Sequence, residues 1–352
     1  MSPDIIGIEG FGMGKIGRFN AITDVPRIKV GHYTDSRLLT GITVVLAGEG
    51  SVGGVDVRGG SPGTRETDLL SPVNRIERVD AVALCGGSAF GLNAVGGVMR
   101  FLEEKGVGHP VKKGVVVPIV PAAVVFDLGR GDGSGYITED SGYKACELAS
   151  GGILSQGNVG AGTGAVSGGL KGGIGTASED LKNGVTVGAV VAVNSSGSTV
   201  DTETGGFYAR GLELEDEFVD LRRDVPARMI PRPDLRGRQG QHTTIGVVAT
   251  NASLTKAQAT KVAQMAHDGL ARAIYPAHTM FDRDTIFVIA TGEVEHLGEE
   301  SSNKRDIDRA LSLVGTSAAD AFSRAVVHAM LSAETVGPYN SHRDKYPSAY
   351  SR

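Results

Sequence analysis

At residue 243 the character of the chain switches within a single step. Gly237-Arg238-Gln239-Gly240-Gln241-His242 is polar and glycine-bearing, whereas Thr243-Thr244-Ile245-Gly246-Val247-Val248-Ala249-Thr250 is β-branched and apolar. Val, Ile and Thr at that density favour a pleated strand, and a run without alternation is that of a strand buried on both faces. Whatever the chain folds into must therefore lead an exposed loop straight into a core strand, with a hydroxyl residue at the junction. Such a junction would hold Thr243 rigidly while its amine and hydroxyl stay accessible. A threonine hydroxyl alone is a poor nucleophile, but a threonine freed at its own α-amine carries a general base on the same residue. That amine has an ordinary pKa of about 7.7–8.0, so much of it is neutral near neutral pH. The same letters also describe an ordinary loop entering an ordinary strand, and both readings stand on local sequence.

The surrounding pattern alternates strands and helices. Residues 40–47, 79–84, 115–120, 184–194, 244–250 and 284–291 read as strands from their apolar, β-branched content. Residues 89–105 read as a helix with Leu92, Val95, Val98, Met99 and Leu102 on one face and Gly106 at its end. Residues 141–149 form a short helix by the same reading, and residues 307–333 a long one. Thr255-Lys256-Ala257-Gln258 is a capping box for a helix running to Ala273, whose buried face is Ala259, Val262, Ala263, Ala266 and Leu270. Residues 157–178 are too rich in glycine to assign, and residues 203–241, polar and carrying Pro226, Pro231 and Pro233, read as a surface linker. Alternating elements point to an α/β fold, and the glycine-heavy strands also suit stacked sheets.

The charge balance narrows the function. A net charge of −5 favours neither nucleic acid nor an anionic membrane. Two cysteines, Cys85 and Cys146, are too few for a disulfide framework and are expected as reduced thiols in a cytoplasmic protein. The N-terminus lacks the basic, apolar and small-residue succession of a signal peptide, and no apolar run reaches the roughly 18 residues of a membrane helix.

Several familiar motifs are incomplete. Gly160-Ala161-Gly162-Thr163-Gly164 departs from the dinucleotide fingerprint, and no phosphate-binding GxxxxGK[ST] occurs. The eight histidines make no HExxH or other ligand spacing, so neither a metal nor a cofactor is expected. Gly86-Gly87-Ser88-Ala89-Phe90 follows a strand and opens a helix, but Phe90 stands where a nucleophile elbow needs glycine, and Ser88 is expected as a helix cap. Three candidates remain beside Thr243. Asp282 and Asp284, two residues apart, point the same way if the chain is extended there, so that one can orient an amine and the other a hydroxyl; a solvated turn is the plain alternative. Lys171 lies among Gly168, Gly169, Gly172 and Gly173, which leave it room to approach a ligand or simply place it at the surface. Asn194 ends a buried strand, where its amide can donate to an oxyanion or close a turn.

Taken jointly, long stretches of the chain resemble the DmpA-like peptidase family, which includes β-peptidyl aminopeptidases and the nylon-oligomer hydrolase. The resemblance runs through residues 56–68, 86–92, 117–128, 170–178, 243–251 and 267–272, and through Pro276-Ala277-His278-Thr279. It implies a four-layer αββα sandwich like that of the N-terminal nucleophile hydrolases, with its own connectivity. It implies one catalytic domain, made as an inactive precursor that cuts itself between His242 and Thr243 into residues 1–242 and 243–352, which stay together. By the same resemblance Asn194 stabilises the oxyanion, Asp282 and Asp284 flank the nucleophile, and Lys171 matches a lysine of the nylon-oligomer branch. Two departures stand out. His242 precedes the cut where Asn or Gly is common, and Phe126 replaces a tyrosine near the substrate pocket, which shifts oxyanion stabilisation toward Asn194 and backbone amides.

The expected activity is hydrolysis of amide bonds, as an aminopeptidase on small peptides or amides. Endo-type cleavage of ω-amino-acid oligomers, acyl transfer to amines, and an uncut non-enzymatic scaffold are the alternatives. The resemblance further implies a homo-oligomer, a tetramer of αβ units.

Overall fold

The computed structural model describes residues 14–133, 135–181, 184–228, 242–294 and 304–351. Its strands are β1 (Lys29–Asp35), β2 (Thr40–Leu46), β3 (Val52–Val57), β4 (Thr64–Arg65), β5 (Ala81–Cys85), β6 (His109–Lys112), β7 (Val115–Val117), β8 (Ala122–Val124), β9 (Val166–Ser167), β10 (Leu170–Lys171), β11 (Ile174–Asp180), β12 (Thr186–Asn194), β13 (Thr243–Ala252) and β14 (Thr285–Val294). The main helices are α1 (Val95–Glu104), α2 (Glu139–Glu147), α3 (Lys256–Ala273) and α4 (Lys304–Leu331).

Two five-stranded sheets organise the chain, one in the order β1-β2-β5-β8-β4 and the other in the order β11-β12-β13-β14-β3. Between them lies a core to which Val30, Val45, Val82, Leu84 and Ala123 come from the first sheet and Ile174, Val190, Ala192, Ile245, Val247, Phe287 and Ile289 from the second. The outward residues of the second sheet, such as Val191, Val248, Ile286 and Val288, pack under Val262, Ala266 and Leu270 of α3 and Phe322 and Ala325 of α4. The outward residues of the first, among them Val44, Ala83 and Ala122, pack under Val95 and Val98 of α1 and Ala145 of α2. Because strand side chains alternate, each inner strand feeds both cores, which is why these strands read as continuous apolar runs. The result is a four-layer αββα sandwich, as the family resemblance implied.

Most of the expected elements form, with shifted ends. Thr255 and Gln258 make the reciprocal capping box, Thr255 N–H donating to Gln258 Oε1 at 2.8 Å, and the expected buried face of α3 is wholly buried. Gly106 leaves α1 with φ +70°, the left-handed exit that glycine permits.

Four expectations are corrected. The helix expected from residue 89 is a 3-10 turn over Ser88–Ala94 before α1 begins, since Gly91 lies so close to Gly86 that a Cβ there would sit 1.8 Å from the Gly86 carbonyl oxygen. Ser88 is not its cap: Gly87 holds that place with φ +82°, and no side chain supplies a capping bond. The strand expected over 115–120 shortens to β7, which pairs in a hairpin with β6, while β8 resumes after Pro121. The supposed linker is in part core: Phe207, Phe218 and Leu221 anchor it under the helices, and its remaining residues, 229–241, lie outside the described residues. In the glycine-rich 157–178 run, glycine allows β10 to approach β12, because a Cβ on Gly172 would stand 2.0 Å from the Val193 carbonyl oxygen.

Both cysteines are free and buried, and burial pushes each thiol up to about 12, so neither is a reactive thiolate. Among the described residues no helix is long and apolar enough to cross a membrane.

Candidate active site

The antiparallel pairing of β12 with β13 sets the site. Its register runs from Val187 opposite Thr250 to Asn194 opposite Thr243. The last residue of one strand thus faces the first of the next. By strand alternation Thr243 shares a face with Ile245 and Val247, and Asn194 with Ala192 and Val190, so both side chains enter the space between the sheets.

In the continuous chain Thr243 is wholly buried rather than accessible. It begins an interior strand with His242 still attached, and its hydroxyl donates to the His242 carbonyl oxygen at 2.5 Å. The hydroxyl therefore sits against the peptide group that precedes it.

Asn194 is held from both ends of its amide. Its Oδ1 accepts from the Val166 backbone N–H at 3.0 Å and from an Arg130 guanidinium N–H at 2.5 Å. Its Nδ2 donates to the Phe126 carbonyl at 3.3 Å. That pattern assigns the amide orientation, since only the oxygen can accept from Arg130. Phe126 thus reaches the site through its backbone, while its ring lies 5.5 Å under the Arg283 guanidinium.

The two acids lie beside this pair, each fastened to the turn before β14. Asp284 Oδ1 accepts from the Thr244 backbone N–H at 2.8 Å, and its Oδ2 accepts from the His278 N–H at 3.0 Å. Asp282 Oδ2 accepts from the Thr279 N–H at 2.8 Å and the Thr279 hydroxyl at 2.6 Å. Both carboxylates are buried, Asp282 1% and Asp284 2% exposed, so neither belongs to a solvated turn. Burial, and then the charge of Asp284, raise the affinity of Asp282 for a proton, which the Thr279 hydroxyl and backbone amides oppose.

Lys171 is not a surface lysine. It is 1% exposed, and its Nζ donates to the Gly162 carbonyl at 2.9 Å and the Gly172 carbonyl at 2.6 Å. Burial and the neighbouring Arg130 charge bring its pKa down to about 7, against a smaller upward pull from Asp127. Asp127 is itself buried, which raises its pKa, while its Oδ1 accepts from the Gly87 N–H at 2.6 Å.

The structure thus gathers Thr243, His242, Asn194, Phe126, Asp282 and Asp284 at one end of the sandwich, and Lys171 lies near enough to Arg130, the donor to Asn194, for the two positive charges to repel. Sequence reading missed Arg130, and it gave Asp127, His278 and Thr279 no role of their own although all three lie in stretches that carry the family resemblance. Gly129 and Gly131 flank Arg130, the same glycine signal that drew attention to Lys171. Among the described residues no group of three or more His, Cys, Asp or Glu side chains could hold a metal ion.

This architecture is that of the N-terminal nucleophile hydrolases in their DmpA-type variant. The L-aminopeptidase D-Ala-esterase/amidase of Ochrobactrum anthropi, described as a variant of that fold, superposes with a TM-score of 0.64 at 23% identity over 93% of this chain and 90% of its own. A β-aminopeptidase of Burkholderia sp. superposes with a TM-score of 0.66 at 24% identity, covering 97% of each chain. The chain belongs to peptidase family S58, whose profile matches residues 20–344. An uncharacterized aminopeptidase of Mycobacterium leprae is 48% identical over 354 residues, 94% of this chain and 95% of the relative. The protein is accordingly an aminopeptidase-like hydrolase.

Proposed function

We propose that this chain is a self-processing N-terminal-threonine hydrolase that acts as an aminopeptidase on small peptides or amides. The observation that carries the proposal is the Thr243 hydroxyl, held at 2.5 Å from the carbonyl oxygen of its own preceding residue at the mouth of a core strand. In the precursor, Oγ attacks the His242 carbonyl carbon, the C–N bond to Thr243 breaks, and an ester forms on Oγ as the amine takes up a proton. Water hydrolyses the ester, leaving a His242 carboxylate and a free Thr243 amine.

In the cut protein that amine takes the Oγ proton while Oγ attacks the substrate amide carbon. The Asn194 amide donates to the oxyanion, exchanging its bond with the Phe126 carbonyl for the developing charge. Collapse expels the leaving amine with a proton, and water releases the acyl group from Oγ. Asp284, bonded to the Thr244 N–H, fixes the peptide next to the attacking residue. Asp282 supports the amine, and Lys171 adds a positive charge whose presence depends on pH near neutrality.

Intact mass and N-terminal sequencing of the purified protein test the proposal. Two chains, 1–242 and 243–352, with Thr243 leading the smaller, are expected. A start at Thr244, or an active enzyme that remains one chain, would overturn it.

A further inference from the structure

The His278 side chain has no role in the scheme above, yet it touches the acid nearest the nucleophile. Its Nδ1 stands 2.8 Å from Asp284 Oδ2, the oxygen that already accepts the His278 backbone N–H. A carboxylate can only accept, so Nδ1 carries the hydrogen. The opposite oxygen, Oδ1, holds the Thr244 N–H. His278 and the Thr243–Thr244 peptide therefore grip the two ends of one buried carboxylate.

Two features make this more than packing. The backbone of His278 is left-handed, with φ +57°, a region that glycine enters freely and that is uncommon for other residues, though asparagine, aspartate and histidine are enriched there. Its Nε2 is buried and has no hydrogen-bond partner among the described residues. An apolar side chain in the same place would leave no ring nitrogen unsatisfied, so what histidine contributes there is the Nδ1 donor. The ring is backed by His267, edge to face at 4.8 Å between centroids. Burial brings the His267 pKa down to about 4, so that ring is neutral, and its Nε2 donates to the Asp56 carbonyl on β3 at 3.0 Å. The His278 ring is thus pinned from behind and bonded in front.

We propose that His278 is a positioning residue whose Nδ1–H orients the Asp284 carboxylate, and through it the Thr243–Thr244 peptide, for both self-cleavage and turnover. This rests on the reading of Thr243 as nucleophile. A hydrogen bond to an ionised group is short and directional, and a donor on each oxygen of the carboxylate leaves it little freedom to rotate.

The test compares His278→Gly with His278→Asn. Glycine adopts φ +57° without strain and keeps the backbone N–H on Oδ2, so it removes only the side-chain donor. Asparagine also tolerates the left-handed region and places an Nδ2–H near the lost Nδ1. With alanine p-nitroanilide as probe, His278→Gly is expected to lower kcat by about 10–100-fold with little change in KM, the scale set by small misplacements of catalytic groups. It should also slow self-cleavage, while thermal unfolding of the two variants stays alike. His278→Asn should recover most of both losses. Wild-type kcat and processing in His278→Gly, or His278→Asn as slow as His278→Gly, would overturn the inference. Thr243→Ala separates the two ideas. If it is inert while His278→Gly behaves as wild type, only the role of His278 fails. If it turns over the anilide, the nucleophile reading fails, and the Gly-to-Asn ratio still decides whether His278 positions the site.

Discussion

The two sheets differ in what they carry. The sheet without Thr243 has strands of 7, 7, 5, 3 and 2 residues under helices of 10 and 9. The sheet that holds Thr243 has strands of 7, 9, 10, 10 and 6 residues under helices of 18 and 28. The first contributes mainly loop groups to the site, the Phe126 carbonyl and the Arg130 guanidinium. The second contributes strand-end groups, Thr243 and Asn194. Groups that must be held to fractions of an ångström are thus mounted on the longer and more heavily covered sheet, and adjustable contacts come from the other.

The strand order of the second sheet also explains how a cut at Thr243 can leave the fold whole. β13 and β14 lie in the middle, flanked by β11-β12 on one side and β3 on the other. The piece 243–352 would therefore remain clasped between strands of the piece 1–242. A buried ion pair adds to that clasp, since Arg324 of α4 meets Glu217 at 2.5 Å, with their side chains 0% and 3% exposed. The shorter-stranded sheet comes entirely from residues before the proposed cut.

The strongest test of this contrast is Thr243→Ala, for which one uncut chain and complete loss of hydrolysis are expected by intact mass and by assay. Thr244→Ala should process normally, because Asp284 holds the Thr244 backbone and the Thr244 hydroxyl has no hydrogen-bond partner among the described residues.

Next in size is the strand-end amide. Asn194→Ala should lower kcat by about 10²–10³ with a smaller change in KM, the usual effect of losing one oxyanion donor. It also removes the side-chain acceptor of the Val166 N–H and one of the acceptors of Arg130, so the unfolding midpoint should fall as well. A change confined to KM would reduce Asn194 to a substrate contact. Asp284→Asn is expected to fold and to lose most of its turnover, and wild-type rates in that variant would remove the carboxylate from the chemistry.

Glu217→Gln probes the clasp. Breaking a buried pair leaves Arg324 unmatched and should cost about 3–5 kcal/mol in denaturant unfolding, with kcat of the surviving folded enzyme unchanged. The exposed pair of Arg100 with Asp140, on the helices of the other sheet, should be silent when Asp140 is changed to Asn. Equal losses from the two variants would break the contrast.

The smallest effect is a pH slope. Lys171 has a pKa near 7 in the fold and 10.5 ordinarily, so between those values the unfolded chain binds more protons. Stability should therefore rise with pH across that window and carry its full penalty below it. Lys171→Met should flatten this part of the wild-type curve in denaturant titrations from pH 6 to 10. An unchanged slope would mean that Lys171 is not desolvated as its surroundings indicate.

Much of the fold was legible because burial leaves its mark on neighbouring letters. The capping box at Thr255, the buried face of α3 and the β-branched runs of β12 and β13 are local patterns with a single physical reading each. The 3-10 turn after Gly87 was not, because it depends on how near Gly91 comes to Gly86. Nor was the burial of Phe207 and Phe218, two aromatic anchors in an otherwise polar run that reads as linker.

The site divides along the same line. By itself the sequence determined that a hydroxyl residue opens a core strand at Thr243, that Asn194 closes another, and that two acids precede a third, since each follows from a local change in hydrophobicity. Tertiary structure alone decided that Thr243 and Asn194 face each other, that Lys171 is buried rather than exposed, and that Arg130 and His278 hold the amide and the acid in place. Strand register, the depth of a side chain and the direction of a hydrogen bond depend on residues far apart in the chain, and no window of sequence contains both partners.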